Sequence, residues 1–320
     1  MVHPSALEGA SVGPRWLIDG LWAAEGVGVI GGAPKCGKTW LSLQLALGVA
    51  SGAPVLGRFP VAHAGPVLVY GAEDRAEQLR DRMVAICRAQ NLDLTTLPIG
   101  LITSPRLRLD TSRDISRLHA TIKAHGARML ILDPLVRLHQ CDENSAGEMS
   151  TLLADLRALQ RELGVALVVV HHLSKTPFAR PGQALRGSGD LHAWGDTNLY
   201  LRHRSGQLQL EVEHRAAPSP EPFAVALSLE PAPHLVVCDP MTAPAPGAAT
   251  ALAERVVSLL ERKGPLTRAQ LRATLRTRNA TLGEALVRLR AEGRIHRGTA
   301  GFAVTAPLAG TAIPIPLKAP

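Results

Sequence analysis

Between residues 26 and 201, short uninterrupted apolar runs alternate with longer segments whose apolar residues recur every three to four positions. The runs are 27–30, 67–70, 97–102, 129–132 and 165–170, and the segments between them are 38–50, 74–89, 112–125 and 146–163. An apolar run without polar interruption fits a strand covered on both faces, and the three-to-four spacing fits an amphipathic helix. This βαβα order predicts an α/β fold, a mainly parallel sheet with helices on both faces. Beyond residue 201 the apolar stretches 208–212, 224–229 and 235–237 read as antiparallel strands added at the sheet edge.

Residues 240–250, rich in proline and alanine, read as a linker. The expected organisation is an N-terminal segment at 1–15, a first domain at 16–239, this linker, a compact second domain at 251–305 and a disordered tail at 306–320. Charge sharpens the division. Residues 250–320 hold 12 Lys and Arg against 4 Asp and Glu, whereas residues 1–249 balance at 23 against 23. The entire excess of +8 therefore falls on the last fifth of the chain, which points to a polyanionic partner for that part alone. At 3% aromatic residues the chain does not suit a binder built on stacked aromatic platforms. Its four cysteines form no C-x-x-C pair, which disfavours a disulfide framework or a structural zinc site. With no secretory signal pattern and no apolar run long enough to span a bilayer, the expectation is a reduced, cytoplasmic protein without a membrane partner.

Candidate chemistry gathers where the apolar runs end. Gly32-Ala33-Pro34-Lys35-Cys36-Gly37-Lys38-Thr39 fits G-x-x-x-x-G-K-[ST], with an apolar strand before it and a helical pattern from Trp40 onward. In such a loop backbone N–H groups turn inward on phosphate oxygens, and the helix that follows presents its positive end to the same anion. Residues 32–40 are thus the candidate ATP-binding segment. Lys38 is expected to reach the β- and γ-phosphates, and the Thr39 hydroxyl to ligate Mg²⁺. The run 129–132 ends in Asp133, the Walker B pattern, expected to hold the same ion. The run 67–70 leads into Gly71-Ala72-Glu73-Asp74. Glu73 is the candidate carboxylate that positions the attacking water. Asp74 is expected to cap the next helix in a box with Glu77. The run 165–170 ends in His171-His172, of which His172 is the candidate γ-phosphate sensor.

In the second domain, three helical patterns and a hairpin read as a winged helix-turn-helix. Leu252, Val256, Leu259 and Leu260 share one face of the first helix. Thr267 with Gln270, and Thr281 with Glu284, read as capping boxes opening the second and third helices, and Gly293 as the stop of the third. Residues 295–297 and 302–304 form the wing. The candidate DNA contacts are Arg276, Arg278, Arg288, Arg290 and Arg297.

Together these residues resemble the RecA-like P-loop ATPases, and among them the RepA-type plasmid hexameric helicases. The carriers are WLIDGL at 16–21, GGAPKCGKTWLSLQLAL at 31–47, Gly71-Ala72-Glu73-Asp74, Leu132-Asp133-Pro134-Leu135, Asp142-Glu143-Asn144, HHLSK at 171–175 and RGSG at 186–189. The resemblance implies a RecA fold, ATP sites between subunits and a homo-oligomeric ring, a hexamer in those helicases. It departs from the pattern at the arginine finger, where an ungapped reading places Asp196; Arg202 and Arg204 are the candidates that follow. Residues 174–194, with Lys175, Arg180 and Arg186, read as a loop able to touch DNA phosphates. Three readings follow: a DNA-acting, helicase-like ATPase, an ATP-switched DNA-binding regulator or adaptor, and a recombination-mediator ATPase that does not unwind.

Overall fold

The computed structural model describes residues 3, 15–104, 106–143, 145–172, 189–204, 206–238, 248–275, 277, 279–298 and 301–305. The chain divides into two compact units, Met1–Pro240 and Met241–Pro320.

The first unit opens with a small antiparallel hairpin, β1 (Trp16–Ile18) and β2 (Trp22–Ala23). Its centre is a nine-stranded sheet. Five of the strands are β3 (Val27–Gly32), β4 (Val67–Gly71), β5 (Ile99–Leu101), β6 (Met129–Asp133) and β7 (Ala166–His172). The other four are β8 (Thr197–Arg204), β9 (Gln207–His214), β10 (Phe223–Ser228) and β11 (His234–Cys238). Their order across the sheet is β5-β4-β6-β7-β3-β8-β9-β10-β11. Strands β5 to β8 in that order run parallel, and β9, β10 and β11 extend the sheet as an antiparallel meander. This is the RecA-like P-loop arrangement.

Alternation along each strand divides the core. Val67, Val69, Met129 and Ile131 face α1 (Lys38–Ser51) and α2 (Ala76–Gln90). Leu68, Tyr70, Leu130 and Leu132 pack on the opposite face, with α3 (Ser112–His125), α4 (Ala146–Leu163) and the short α5 (Gly189–Trp194). Because β3, β4, β6 and β7 have helices on both faces, nearly all their residues are buried. Crossovers between parallel strands place all their carboxyl ends on one side of the sheet, where ligands bind.

Three expectations about the elements are corrected. β5 is only three residues long, shorter than the run 97–102, because the chain enters it from a one-turn helix at Leu94–Thr96. Asp74 does not cap α2: the helix starts two residues beyond it, Gln78 Oε1 accepts from the Arg75 N–H at 3.1 Å, and Asp74 pairs with Arg82 instead. The sequence pattern also missed β8, which lies between β3 and β9. Its first half carries Thr197 and Asn198, polar residues that are nonetheless buried because their side chains find partners. Asn198 Oδ1 accepts from the Val29 N–H at 3.2 Å, and its Nδ2 donates to His192 O at 3.1 Å. At Gly28, opposite Thr197, a Cβ would lie 1.6 Å from the Thr197 carbonyl oxygen, so only glycine lets β3 and β8 close up.

Strand β11 lies against α1. The buried Gln44 side chain donates to Leu235 O at 3.0 Å and accepts from Leu235 N–H at 2.8 Å, so a helix side chain satisfies main-chain groups of this edge strand.

The second unit has its own core. It contains α6 (Ala248–Lys263), α7 (Arg268–Leu275), α8 (Asn279–Ala291) and the hairpin of β12 (Ile295–Gly298) with β13 (Gly301–Val304). Leu252, Val256, Leu259 and Leu260 are buried with Leu271, Leu282, Leu286 and Leu289. Thr267 opens α7 as a reciprocal box: its N–H donates to Gln270 Oε1 at 2.8 Å, and the Gln270 N–H donates to its hydroxyl at 3.3 Å. Gly293 ends α8 with a φ of 70°. Two boundaries move. α6 begins at Ala248, so three residues of the expected linker are helical. α8 begins at Asn279, so Thr281 lies inside it and is not its cap; Ala280 is a strong helix former, and the turn extends back through it. Among the described residues no helix is long and apolar enough to cross a membrane.

Candidate nucleotide site

The loop from Gly32 to Thr39 joins the carboxyl end of β3 to α1. It needs left-handed backbone at two places, Lys35 with φ 65° and Gly37 with φ 101°. That geometry turns successive N–H groups toward a common centre, the form of an anion nest. Gly37 is the residue just before α1, so the helix's free N–H groups and dipole face the same place. Cys36 is buried, and burial pushes its thiol pKa up, which keeps it a neutral packing residue beneath Gly32.

Lys38, the first residue of α1, is buried, and that burial lowers its pKa from the usual lysine value. Its ammonium donates to the carbonyl oxygens of Gly32 and Ala33, each at 2.9 Å, and meets His172 Nδ1 at 3.2 Å. An ammonium only donates, so Nδ1 accepts and the imidazole proton sits on Nε2. His171, the neighbour on β7, is buried and turns the other way, with Nδ1 3.7 Å from Glu143. Alternation along the strand therefore puts one histidine at the P-loop and the other beneath it.

Thr39 donates its hydroxyl hydrogen to Asp133 Oδ2 at 2.7 Å. Asp133 ends β6, and burial raises its carboxyl to about 6; the Thr39 hydrogen bond and Lys38 oppose that rise, while Asp74 and Glu73 add to it. A hydroxyl and a partly buried carboxylate form a hard-oxygen donor pair, and they fit Mg²⁺. The glycine-turned loop and the buried Lys38 likewise fit a polyphosphate.

Glu73 stands two residues beyond the end of β4, the strand next to β6. Its Oε1 accepts from Arg137 Nε at 2.8 Å, and both side chains are exposed. Arg137 lies in the one-turn helix Leu135–Arg137 that follows Asp133, and sequence reasoning did not single it out. Its position four residues after a strand-end aspartate carried no signal, because the contact depends on β4 and β6 being neighbours.

The structure thus gathers Lys38, Thr39, Asp133, His172 and Glu73 at the carboxyl ends of four adjacent strands. Arg202 and Arg204 end β8, which runs parallel to β3 with Leu201 paired to Gly32, so they lie on the same carboxyl rim, each with a guanidinium nitrogen 3.7 Å from Glu211 on β9. In the second unit Arg290 and Arg297 are exposed. Arg276 and Arg278 fall outside the described residues, as does the Arg288 side chain; the stretch 173–188, with Lys175, Arg180 and Arg186, falls outside them too.

The sheet order and the loop between β3 and α1 define a P-loop ATPase of RecA-like fold. The profile of the AAA domain family matches residues 5–177, more than half of the chain, and the chain belongs to that family. The replicative DNA helicase DnaB of Rickettsia typhi is 23% identical over 201 residues, covering 54% of this chain and 40% of the helicase. That of a Nostoc species is 25% identical over 211 residues, covering 58% of this chain and 22% of the helicase. The chain therefore spans less than half the length of these relatives. A solved DnaB-like replicative helicase, described with its interactions with primase, superposes with a TM-score of 0.51 at 17% identity. That superposition covers 64% of this chain and 56% of the helicase, and it is a likeness of fold.

Proposed function

We propose that this chain binds Mg²⁺ and ATP at the loop 32–40, hydrolyses the nucleotide, and couples hydrolysis to work on DNA as a homo-oligomeric ring. The observation that carries the reading is the convergence of Lys38, Thr39, Asp133, His172 and Glu73 on one rim of the sheet. In this reading Lys38 exchanges the carbonyls of Gly32 and Ala33 for β- and γ-phosphate oxygens. Thr39 and Asp133 hold the metal, which offsets charge on the phosphates. Glu73 orients the attacking water, and His172, released by Lys38, senses the γ-phosphate. The likeness to DnaB supports DNA as the partner and a ring, hexameric by resemblance, as the assembly; Arg202 or Arg204 would reach the neighbouring site as the trans finger.

The second unit supports the same partner. Three helices followed by a hairpin, with Arg290 and Arg297 exposed and the chain's excess charge concentrated there, suit a winged helix-turn-helix on duplex DNA. Its proposed phosphate contacts are Arg276, Arg278, Arg288, Arg290 and Arg297.

A second reading, an ATP-switched DNA-binding adaptor, draws on the position of Arg202 and Arg204. Both approach Glu211 of their own chain, which competes with a role in a neighbour's site. Light scattering of the full chain with and without a non-hydrolysable ATP analogue, beside phosphate release with and without DNA, separates the two. Nucleotide-driven assembly with DNA-stimulated turnover supports the motor; assembly with slow turnover indifferent to DNA supports the adaptor. A monomer in every condition contradicts both.

A further inference from the structure

Every chemical group of the site is held by a partner of its own chain: Lys38 by two loop carbonyls and His172, Thr39 by Asp133, and Glu73 by Arg137. The first two arrangements are of a kind that Mg²⁺ and ATP would themselves exchange, since phosphate outcompetes a carbonyl for an ammonium and a divalent cation outcompetes a hydroxyl for a carboxylate. The third is different. A carboxylate that must orient water carries a charge-assisted hydrogen bond from a guanidinium, and that guanidinium stands on the loop after β6, outside the phosphate-binding loop. Only Nε of Arg137 is engaged; among the described residues its two terminal nitrogens have no hydrogen-bond partner, and its side chain is 63% exposed. A guanidinium held at one edge, with its outer edge in solvent, can take a phosphodiester oxygen pair in the bidentate geometry that carboxylate and phosphate share. A second exposed guanidinium, Arg75, stands two residues from Glu73.

We infer that Arg137 is a contact for the phosphate backbone of single-stranded nucleic acid, and that in its absence Arg137 restrains Glu73. The inference rests on the ATPase reading above and supplies its coupling: backbone phosphate draws Arg137 off Oε1, and the freed carboxylate turns to the water. An exposed ion pair is weak, so the restraint shifts an equilibrium by no more than about fivefold. That suits a brake which a polyanion releases.

The test is steady-state phosphate release by the full chain at saturating Mg²⁺ and ATP, with and without oligothymidylate, for wild type, Arg137→Gln and Arg137→Lys. Arg137→Gln is expected to raise the rate without oligothymidylate by up to about fivefold and to gain nothing further when it is added. Arg137→Lys keeps the charge but not the fork, and is expected to stay near the wild-type basal rate with weaker stimulation. An unchanged basal rate with full stimulation in Arg137→Gln overturns the inference. So does a basal rate below wild type, which would make Arg137 a helper of hydrolysis. If the wild type turns over ATP at one rate with or without oligothymidylate, the DNA coupling of the proposed function fails, and the restraint is judged on the basal rate of Arg137→Gln alone.

Discussion

Replacing Asp133 with Asn separates what this residue does for the fold from what it does for the nucleotide. Burial raises its carboxyl from 3.8 to about 6, so at pH 8 the folded protein holds an ionised group where a neutral one is preferred. The sign follows from linkage. A raised folded-state pKa means that the protonated form is bound more tightly when folded. Stability is then highest below the unfolded value, falls as pH rises, and has lost its full share once pH passes about 6. Two pKa units correspond to roughly 3 kcal/mol, an upper bound for a group at a site mouth. Asn keeps an oxygen able to accept from the Thr39 hydroxyl, now at 2.7 Å, and removes the charge. At pH 8, without metal, Asp133→Asn should therefore be more stable by about 1–3 kcal/mol, a rise of roughly 2–10 °C in the melting of the first unit. At pH 4 the gain should shrink toward nothing. Adding Mg²⁺ with a non-hydrolysable ATP analogue should reverse the order at pH 8, because the wild type gains binding energy that the variant cannot. Scanning calorimetry at both pH values, with EDTA and then with metal and analogue, measures all of this. A variant less stable than wild type at pH 8 without metal, or equally shifted at both pH values, would refute the reasoning.

Lys38→Ala removes the buried counter-charge for phosphate and should weaken binding of a fluorescent ATP analogue at least tenfold; equal affinity would mean that the nucleotide binds elsewhere. Asn198→Leu leaves the Val29 N–H buried without its 3.2 Å acceptor and should cost about 1–3 kcal/mol in urea unfolding, whereas an exposed change such as Arg290→Ala should cost almost nothing. For duplex DNA, affinity of the full chain should fall with salt at a logarithmic slope of roughly −4 to −5 if about four to six phosphates are met; Arg290→Ala with Arg297→Ala should flatten it by about two.

The parallel core was legible because buried strands write themselves as apolar runs: β3, β4, β6 and β7 begin and end within about two residues of the runs that announced them. The helices α1, α3 and α4 were legible from apolar residues recurring every three to four positions, each bounded by glycine in left-handed backbone at Gly52, Gly126 and Gly164. Strand β8 was not, since Thr197 and Asn198 are buried through hydrogen bonds that only its neighbours supply. At the candidate site, motif spacing singled out Lys38, Thr39 and Asp133, strand-end position singled out Glu73 and His172, and the fold brings these five to one rim. Arg137 was invisible, because its meeting with Glu73 is set by the sheet order, which places β4 beside β6 and not beside β3. The hold of Gln44 on β11 was likewise beyond reach, joining residues 191 positions apart.

The central claim is that this rim of the sheet turns over ATP in response to DNA. Phosphate release by the wild-type chain, with and without single-stranded DNA and beside Glu73→Gln, tests it most directly. The account predicts magnesium-dependent turnover that single-stranded DNA stimulates, and a Glu73→Gln chain that still binds ATP but releases phosphate at least a hundredfold more slowly. Turnover indifferent to DNA, or a Glu73→Gln chain as fast as wild type, would contradict it.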